Sequence, residues 1–425
     1  MKTFTLIALV SALLITGFPH DASSANLAGI PDSVQTGPGY ANDVYYSFED
    51  GVVATVTRTN WDIGFHTTLW TATIITNGAA GVNLYTYPTA DTAGWATLDT
   101  TGLGTWPVMY DSEESWEDGA FTRNATGHPD YGWGKYNPIT HDVVGDSIYI
   151  LKTLDGSYRK IWIQRKNSAA NTYYIRVANL DGSNDHVLQL NINPYASKNF
   201  VYYEFATESF LDREPDTNTW DILFTKYMAI QPNGTPYPVV GVLNNFDVYG
   251  NEFYPVAPEF SDYASQSFDS TKSVVGWEWK TFDMGTFTWT VADSTAFFVH
   301  TRKNNVYKLV FTKFEGSTTG NIVFTKEPMS ASGILNPINV SEAIVFPNPV
   351  RDQFTIDFGK QIEGKVSIAI FDNTGKQVYS TERYINDSRM TMPLAGTGVT
   401  TGLHLLKVVT AEGVYSSKFM TYTNQ

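Results

Sequence analysis

Apolar and polar residues alternate along most of this chain, as in Tyr173-Tyr174-Ile175-Arg176-Val177 and Val306-Tyr307-Lys308-Leu309-Val310. A period of two puts every second side chain on the same face, the pattern of a half-buried β-strand. Turn-forming pairs, Asp155-Gly156, Asp181-Gly182 and Asn233-Gly234, fall between such runs. Sustained helical periodicity is nearly absent, so the pattern predicts an all-β fold.

The pattern also recurs at long range. Val44-Tyr45-Tyr46-Ser47-Phe48 followed by Asn60-Trp61-Asp62-Ile63-Gly64-Phe65 returns as Val201-Tyr202-Tyr203-Glu204-Phe205 followed by Thr219-Trp220-Asp221-Ile222-Leu223-Phe224. Trp116-Glu117 and Phe121 return at identical spacing as Trp277-Glu278 and Phe282. A third match joins Asp146-Ser147 and Lys160-Ile161-Trp162-Ile163 to Asp293-Ser294 and Lys308-Leu309-Val310-Phe311. Three collinear matches predict two tandem similar β-rich domains over residues 35–192 and 195–330, each of ordinary domain size. The sequence leaves open whether they share a sheet.

Small residues at Ser330-Ala331-Ser332-Gly333 read as a linker to a last segment, residues 340–425. There, strand-like runs such as Phe354-Thr355-Ile356-Asp357-Phe358 and Val366-Ser367-Ile368-Ala369-Ile370-Phe371 are punctuated by Pro347-Asn348-Pro349 and Asn373-Thr374-Gly375. Proline ends one strand and glycine supplies a turn, which predicts a small C-terminal antiparallel β-sandwich. The order of these motifs, closing on Gly402-Leu403-His404-Leu405-Leu406-Lys407-Val408 and Ser416-Ser417-Lys418-Phe419, resembles the C-terminal sorting domain of type IX secretion cargo. That resemblance implies the secretion and sorting machinery as partner and the outer-membrane surface or the extracellular space as destination. Two features depart from the family: His404 stands where an aromatic is usual, and the chain runs on to Gln425.

The other end agrees with export. Lys2, the apolar run Phe4 to Phe18 and the small residues Ser23-Ser24-Ala25 read as a signal peptide over residues 1–25. No later stretch is apolar enough for a transmembrane segment. Composition narrows the chemistry: a net charge of −15 disfavours nucleic acid and anionic lipid, and aromatics at 14% favour strands. The absence of cysteine removes disulfides, thiolate metal sites and thiol nucleophiles.

Asn60-Trp61-Asp62-Ile63, Gly132-Trp133-Gly134-Lys135-Tyr136-Asn137, Thr140-His141 and Pro236-Tyr237-Pro238-Val239-Val240-Gly241 resemble the HmuY-like family, and the resemblance covers both halves. It implies an all-β surface protein whose ligand is haem or a related tetrapyrrole, its iron held between two axial His or Met side chains. Candidates in the first half are His66, Met109, His128 and His141, and in the second Met228, Met284 and His300. His128 and His141 suit ligation best, because His128 lies in a loop among Trp116, Phe121, Tyr131 and Trp133, with His141 close in sequence. By strand alternation His66 shares a face with Gly64, which predicts a polar surface position.

Other constellations read as structure. The paired Trp61-Asp62 and Trp220-Asp221 predict core aromatics whose neighbouring carboxylates satisfy backbone donors. The cluster Asp111, Glu113, Glu114, Glu117 and Asp118 lacks the spacing of a calcium loop and reads as a solvated acidic loop. No nucleophile–base set, zinc helix or phosphate loop is present, so we expect no enzyme. The expected function is an exported cell-surface or secreted ligand-binding protein. The alternative is a non-catalytic structural, adhesive or glycan-binding surface protein that has lost haem ligation.

Overall fold

The computed structural model describes residues 29–329 and 340–422, apart from 69–70, 293, 374–375 and 411–412. The expected signal peptide, residues 1–25, and the linker Ser330-Ala331-Ser332-Gly333 lie outside the described residues. The chain divides into two compact units, Met1–Met329 and Ser330–Gln425. Among the described residues the fold is all-β, with helical segments confined to short 3-10 turns.

In the first unit the two sequence repeats exchange strands. Strand Asn42–Ser47 of the first half pairs antiparallel with Ile222–Ile230 of the second, aligning Tyr46 with Ile222 and Val44 with Phe224. Strand Phe200–Glu204 of the second half pairs in the same way with Ile63–His66 of the first, aligning Tyr203 with Ile63 and Val201 with Phe65. These are equivalent positions of the repeat, so the exchange is reciprocal. Two four-stranded sheets result, each built from one hairpin of either half.

Each mixed sheet packs on a larger sheet to enclose a core. One core joins Phe65, Ile74, Leu84, Trp133, Tyr149, Ile163, Tyr173 and Tyr203. The other joins Val44, Tyr46, Phe48, Phe224, Val242, Trp279, Val299, Phe311 and Phe324. The second sandwich therefore contains the N-terminal strands Ile30–Gln35, Asn42–Ser47 and Gly51–Thr57 together with residues beyond Trp220. Packing boundaries thus differ from the repeat boundaries at 35–192 and 195–330. Ile30–Gln35 closes its sheet by pairing with Asn321–Met329, a pairing between the first and last strands of the unit.

The carboxylates of the repeated Trp-Asp pairs lock this exchange. Asp62 accepts from the backbone N–H of Phe205 at 2.7 Å and of Leu154 at 2.8 Å, and Asp221 accepts from Phe48 N–H at 2.9 Å. Asn77 and Asn245 make a second equivalent pair: the Asn77 amide donates to the carbonyls of Arg58 and Trp61, and that of Asn245 to those of Thr217 and Trp220. Buried backbone groups need such partners, so these polar residues fix the crossing geometry. Trp61 and Trp220 are buried, and each meets a tyrosine of the other half edge-on: Tyr202 at 4.8 Å and Tyr45 at 4.9 Å.

His66 corrects the surface expectation. It does share the Gly64 face, but that face is covered as well, and His66 is 3% exposed with Phe200 and Phe246 edge-on at 5.1 Å. Alternation assigns a side chain to a face without telling what lies against it. Burial, then the nearby Lys166, push its pKa down to about 3, so it is a neutral core histidine whose Nδ1 accepts from Thr68 N–H.

The second unit is one six-stranded sheet curled over its own core, with Phe354, Ile356, Ile368, Ile370, Leu406, Val408 and Phe419 inside. Its longest strand, Gln353–Phe371, runs antiparallel to Gln377–Pro393 and to Gly402–Thr410. One pairing departs from the antiparallel expectation: Val340–Glu342 runs parallel to Gly413–Thr421. His404 is buried beside Phe419 at 5.8 Å and its Nε2 hydrogen-bonds the Thr400 carbonyl, so a histidine fills an aromatic's place.

Candidate functional site

A cleft of about 760 Å³ opens on the second sandwich. Its floor is strand Pro236–Asn244, and one wall is the hairpin Lys280–Asp283 and Thr288–Val291. Trp277 and Trp289 are partly exposed there, with Phe282 36% and Tyr237 59% exposed. Phe282 and Trp289 pack at 5.0 Å across the hairpin, and Trp289 meets Phe314 edge-on at 4.9 Å. The hairpin tip carries Met284 and Phe287 into solvent, 72% and 74% exposed. Glu278, Gln231 and Lys226 supply polar groups to the rim.

Lys280 anchors the cleft from below. It is 5% exposed, donates to the carbonyls of Val240 and Trp277, and lies 4.1 Å from the Trp279 ring centroid. Burial pushes its pKa down to about 7. In its protonated form the ammonium is attracted to the aromatic faces around it, Trp279 and Phe314, and holds them in place. A cleft of this size, with aromatic walls and a few convergent polar groups, has the dimensions of a small-molecule or oligomer site.

A second cleft of about 680 Å³ is lined mainly by first-sandwich residues, Trp106, Met109, Tyr110, Glu113, Arg123 and Asn124 among them, with Ile230 and Pro236 of the second at its edge. Of the acidic cluster only part is solvated. Asp111 is half-buried, accepting from the N–H groups of Thr76 and Ala120, and burial raises its pKa to about 6. Glu113 accepts from Ile230 N–H at 3.0 Å and Asp118 pairs with Arg123. Asp111, Glu113 and Asp118 are thus loop fasteners, which corrects the solvated reading for these three, while Glu114 and Glu117 are exposed as it expects.

The structure brings His128 and His141 together around one phenol. The His128 ring lies 5.3 Å from that of Tyr136, and Tyr136 Oη is 2.5 Å from His141 Nδ1. Both histidines are exposed. The aromatics near His128 in sequence do not wall a slot around it: Phe121 and Trp133 are fully buried in the first core, and Trp116 packs against Phe200 and Phe246. Among the other candidates, Met109 is buried, its sulfur accepting from the Thr86 hydroxyl, and His300 packs between Tyr249 and Phe268.

Sequence reasoning missed the cleft aromatics and Lys280. The available signal was the repeat itself: Trp277 and Phe282 occupy the spacing of Trp116 and Phe121, yet polar residues and an Asp-Met-Gly turn follow them.

Among known proteins, residues 344–422 match the secretion system C-terminal sorting domain family. No curated protein matches the chain. The chain is thus an exported all-β protein bearing a type IX secretion sorting tail, which indicates delivery to the cell surface or the extracellular space. The tail implies interaction with the type IX secretion machinery, and among the described residues no helix is long and apolar enough to cross a membrane.

Proposed function

We propose that this protein is a non-catalytic surface or secreted binder whose second sandwich takes a carbohydrate along the aromatic cleft. The observation that supports it is the grouping of partly exposed Trp277, Trp289, Phe282 and Tyr237 in one cleft with Glu278 and Gln231 at its rim. Sugar rings present apolar C–H faces and polar edges, which match aromatic faces bordered by hydrogen-bonding groups. The likeness to the HmuY-like family supports a surface ligand-binding role in general. The test is a tryptophan-fluorescence titration with soluble oligosaccharides from plant and microbial polysaccharides. A saturable change that Trp277→Ala weakens about tenfold is expected, the loss typical of an aromatic anchor. No saturable change with any of them overturns the reading.

A second reading, haem or a related tetrapyrrole as ligand, is favoured by the convergence of His128 and His141 on Tyr136. Neutral imidazoles are the usual axial ligands. Haem titration should then give a one-to-one Soret shift that the His128→Ala, His141→Ala pair abolishes, and an undiminished shift overturns it.

A further inference from the structure

Where the two sandwiches meet, a cavity of about 90 Å³ is lined by four cations, Arg58, Arg213, Lys226 and Lys272, and two carboxylates, Asp43 and Asp111. Both carboxylates are already engaged. Asp43 pairs with Arg213 at 2.8 Å and accepts from the Thr225 hydroxyl at 2.6 Å, while Asp111 accepts the backbone N–H groups of Thr76 and Ala120.

Of the four cations, Arg213 is taken by Asp43 and Lys226 is only half-buried, which leaves Lys272 and Arg58. Lys272 is 5% exposed, its backbone is pinned by the Glu114 carbonyl and by Asn244 N–H, and its Nζ lies 4.2 Å from the Trp116 ring centroid. The carboxylates of Asp111, Asp118 and Glu113 lie near enough to favour its charge, but Asp111 is taken by backbone N–H groups, Glu113 by Ile230 N–H and Asp118 by Arg123. Arg58 is 7% exposed and donates through Nε to the Tyr40 carbonyl, while its Nη1 has no partner. Trp61 Nε1, Arg213 Nε and Thr76 Oγ1, on residues of the same lining, are also without partners. Buried donors without partners are costly, and a surplus of donors over free acceptors calls for a ligand made of acceptors. Burial pulls the Lys272 pKa down to about 8, which still leaves it charged at neutral pH.

We infer that this cavity is a binding site for a small oxyanion of the phosphate or sulfate class, held by the Lys272 ammonium and the Arg58 guanidinium between the two sandwiches. The small volume and the surplus of donors together suit a small tetrahedral oxyanion. The anion's oxygens would complete the hydrogen bonding of both cations and join first-half and second-half elements. This site is separate from the aromatic cleft and independent of what binds there.

The experiment is a thermal melt of the full chain against sodium phosphate and sodium sulfate, with sodium chloride at matched ionic strength. Expected is a saturable rise in Tm of about 2–4 °C with either oxyanion and none with chloride. Lys272→Met should abolish the response, and Lys272→Arg should keep it. As a check needing no variant, the ³¹P line of inorganic phosphate should broaden in the presence of the unmodified chain and be restored by sulfate. Equal responses to phosphate and chloride with an unbroadened line overturn the proposal, as does a full response in Lys272→Met.

Discussion

Trp116-Glu117 with Phe121 and Trp277-Glu278 with Phe282 have the same spacing and opposite fates. Phe121 is sealed in the first core and Trp116 plugs the layer between sandwiches, its indole N–H donating to the Asn244 carbonyl at 2.7 Å. Trp277 and Phe282 line an open cleft. In the second half Trp279, stacked on Phe311 at 3.9 Å, contributes the buried ring that frees them. Duplication preserved what fixes the backbone, namely Asp62 and Asp221, Asn77 and Asn245, and the reciprocal strand register. It released the aromatics and charges that make surfaces.

The charges are where symmetry fails most. Arg213 and Asp43 form an ion pair with both side chains 5% exposed, and the Arg213 guanidinium also lies over Tyr202 at 5.0 Å. The repeat puts Phe200 where Asp43 stands. Arg213→Met should therefore cost about 3–5 kcal/mol, because it leaves Asp43 buried and unpaired, and adding Asp43→Leu should recover most of that. Denaturant unfolding of the single and double variants measures both. The symmetric carboxylates should rank next. Asp62→Ala strands two buried N–H groups and should cost roughly 2–5 kcal/mol, whereas Asp221→Ala strands one and should cost about 1–3. Equal losses would show that the two locks do the same job despite their unequal partners.

The asymmetric charges also set a pH profile. Burial raises Glu214 from its ordinary 4.5 to about 7, against the opposing pull of the Tyr202 hydroxyl, the Phe200 and Asn199 N–H groups and Arg213. Between those values the folded chain keeps a proton that the unfolded chain has lost, so stability falls as pH rises from 4.5 to 7, by at most about 1.4 kcal/mol per pH unit for this group. Lys272 runs the other way: lowered from 10.5 to about 8, it is deprotonated first in the folded state, so stability rises as pH rises through that window. Melts across pH should show a trough near neutrality. Glu214→Gln should flatten its acid side and Lys272→Met its alkaline side. At the small end, His128→Ala should change stability by no more than about 0.5 kcal/mol, as expected for an exposed residue.

Much of this was legible in the sequence. Alternation gave the strands, the collinear phrases gave the duplication, and the tail motifs placed the sorting domain now matched over residues 344–422. The Trp-Asp pairs were readable as core and lock because an aromatic amid apolar neighbours followed by a carboxylate is a local pattern. Strand exchange was not readable. Ile63–His66 pairs with residues about 140 positions away, and nothing in its four residues says which tyrosine-rich strand it will meet. His66 went astray for the same reason, since both faces of its strand are covered. Arg213, Glu214 and Lys272 have unremarkable sequence neighbours, and their burial follows from the docking of two sheets that no local window contains.

The reciprocal exchange underlies both the shared layer and its charges, and it can be tested by cutting the chain at the repeat boundary. A fragment of residues 35–192 lacks Phe200–Glu204 and Ile222–Ile230, the partners of Ile63–His66 and Asn42–Ser47. Calorimetry should find no cooperative transition in it, while residues 29–329 melt in one. A cooperative transition for residues 35–192 alone, with two separate transitions in the longer chain, would contradict the exchange.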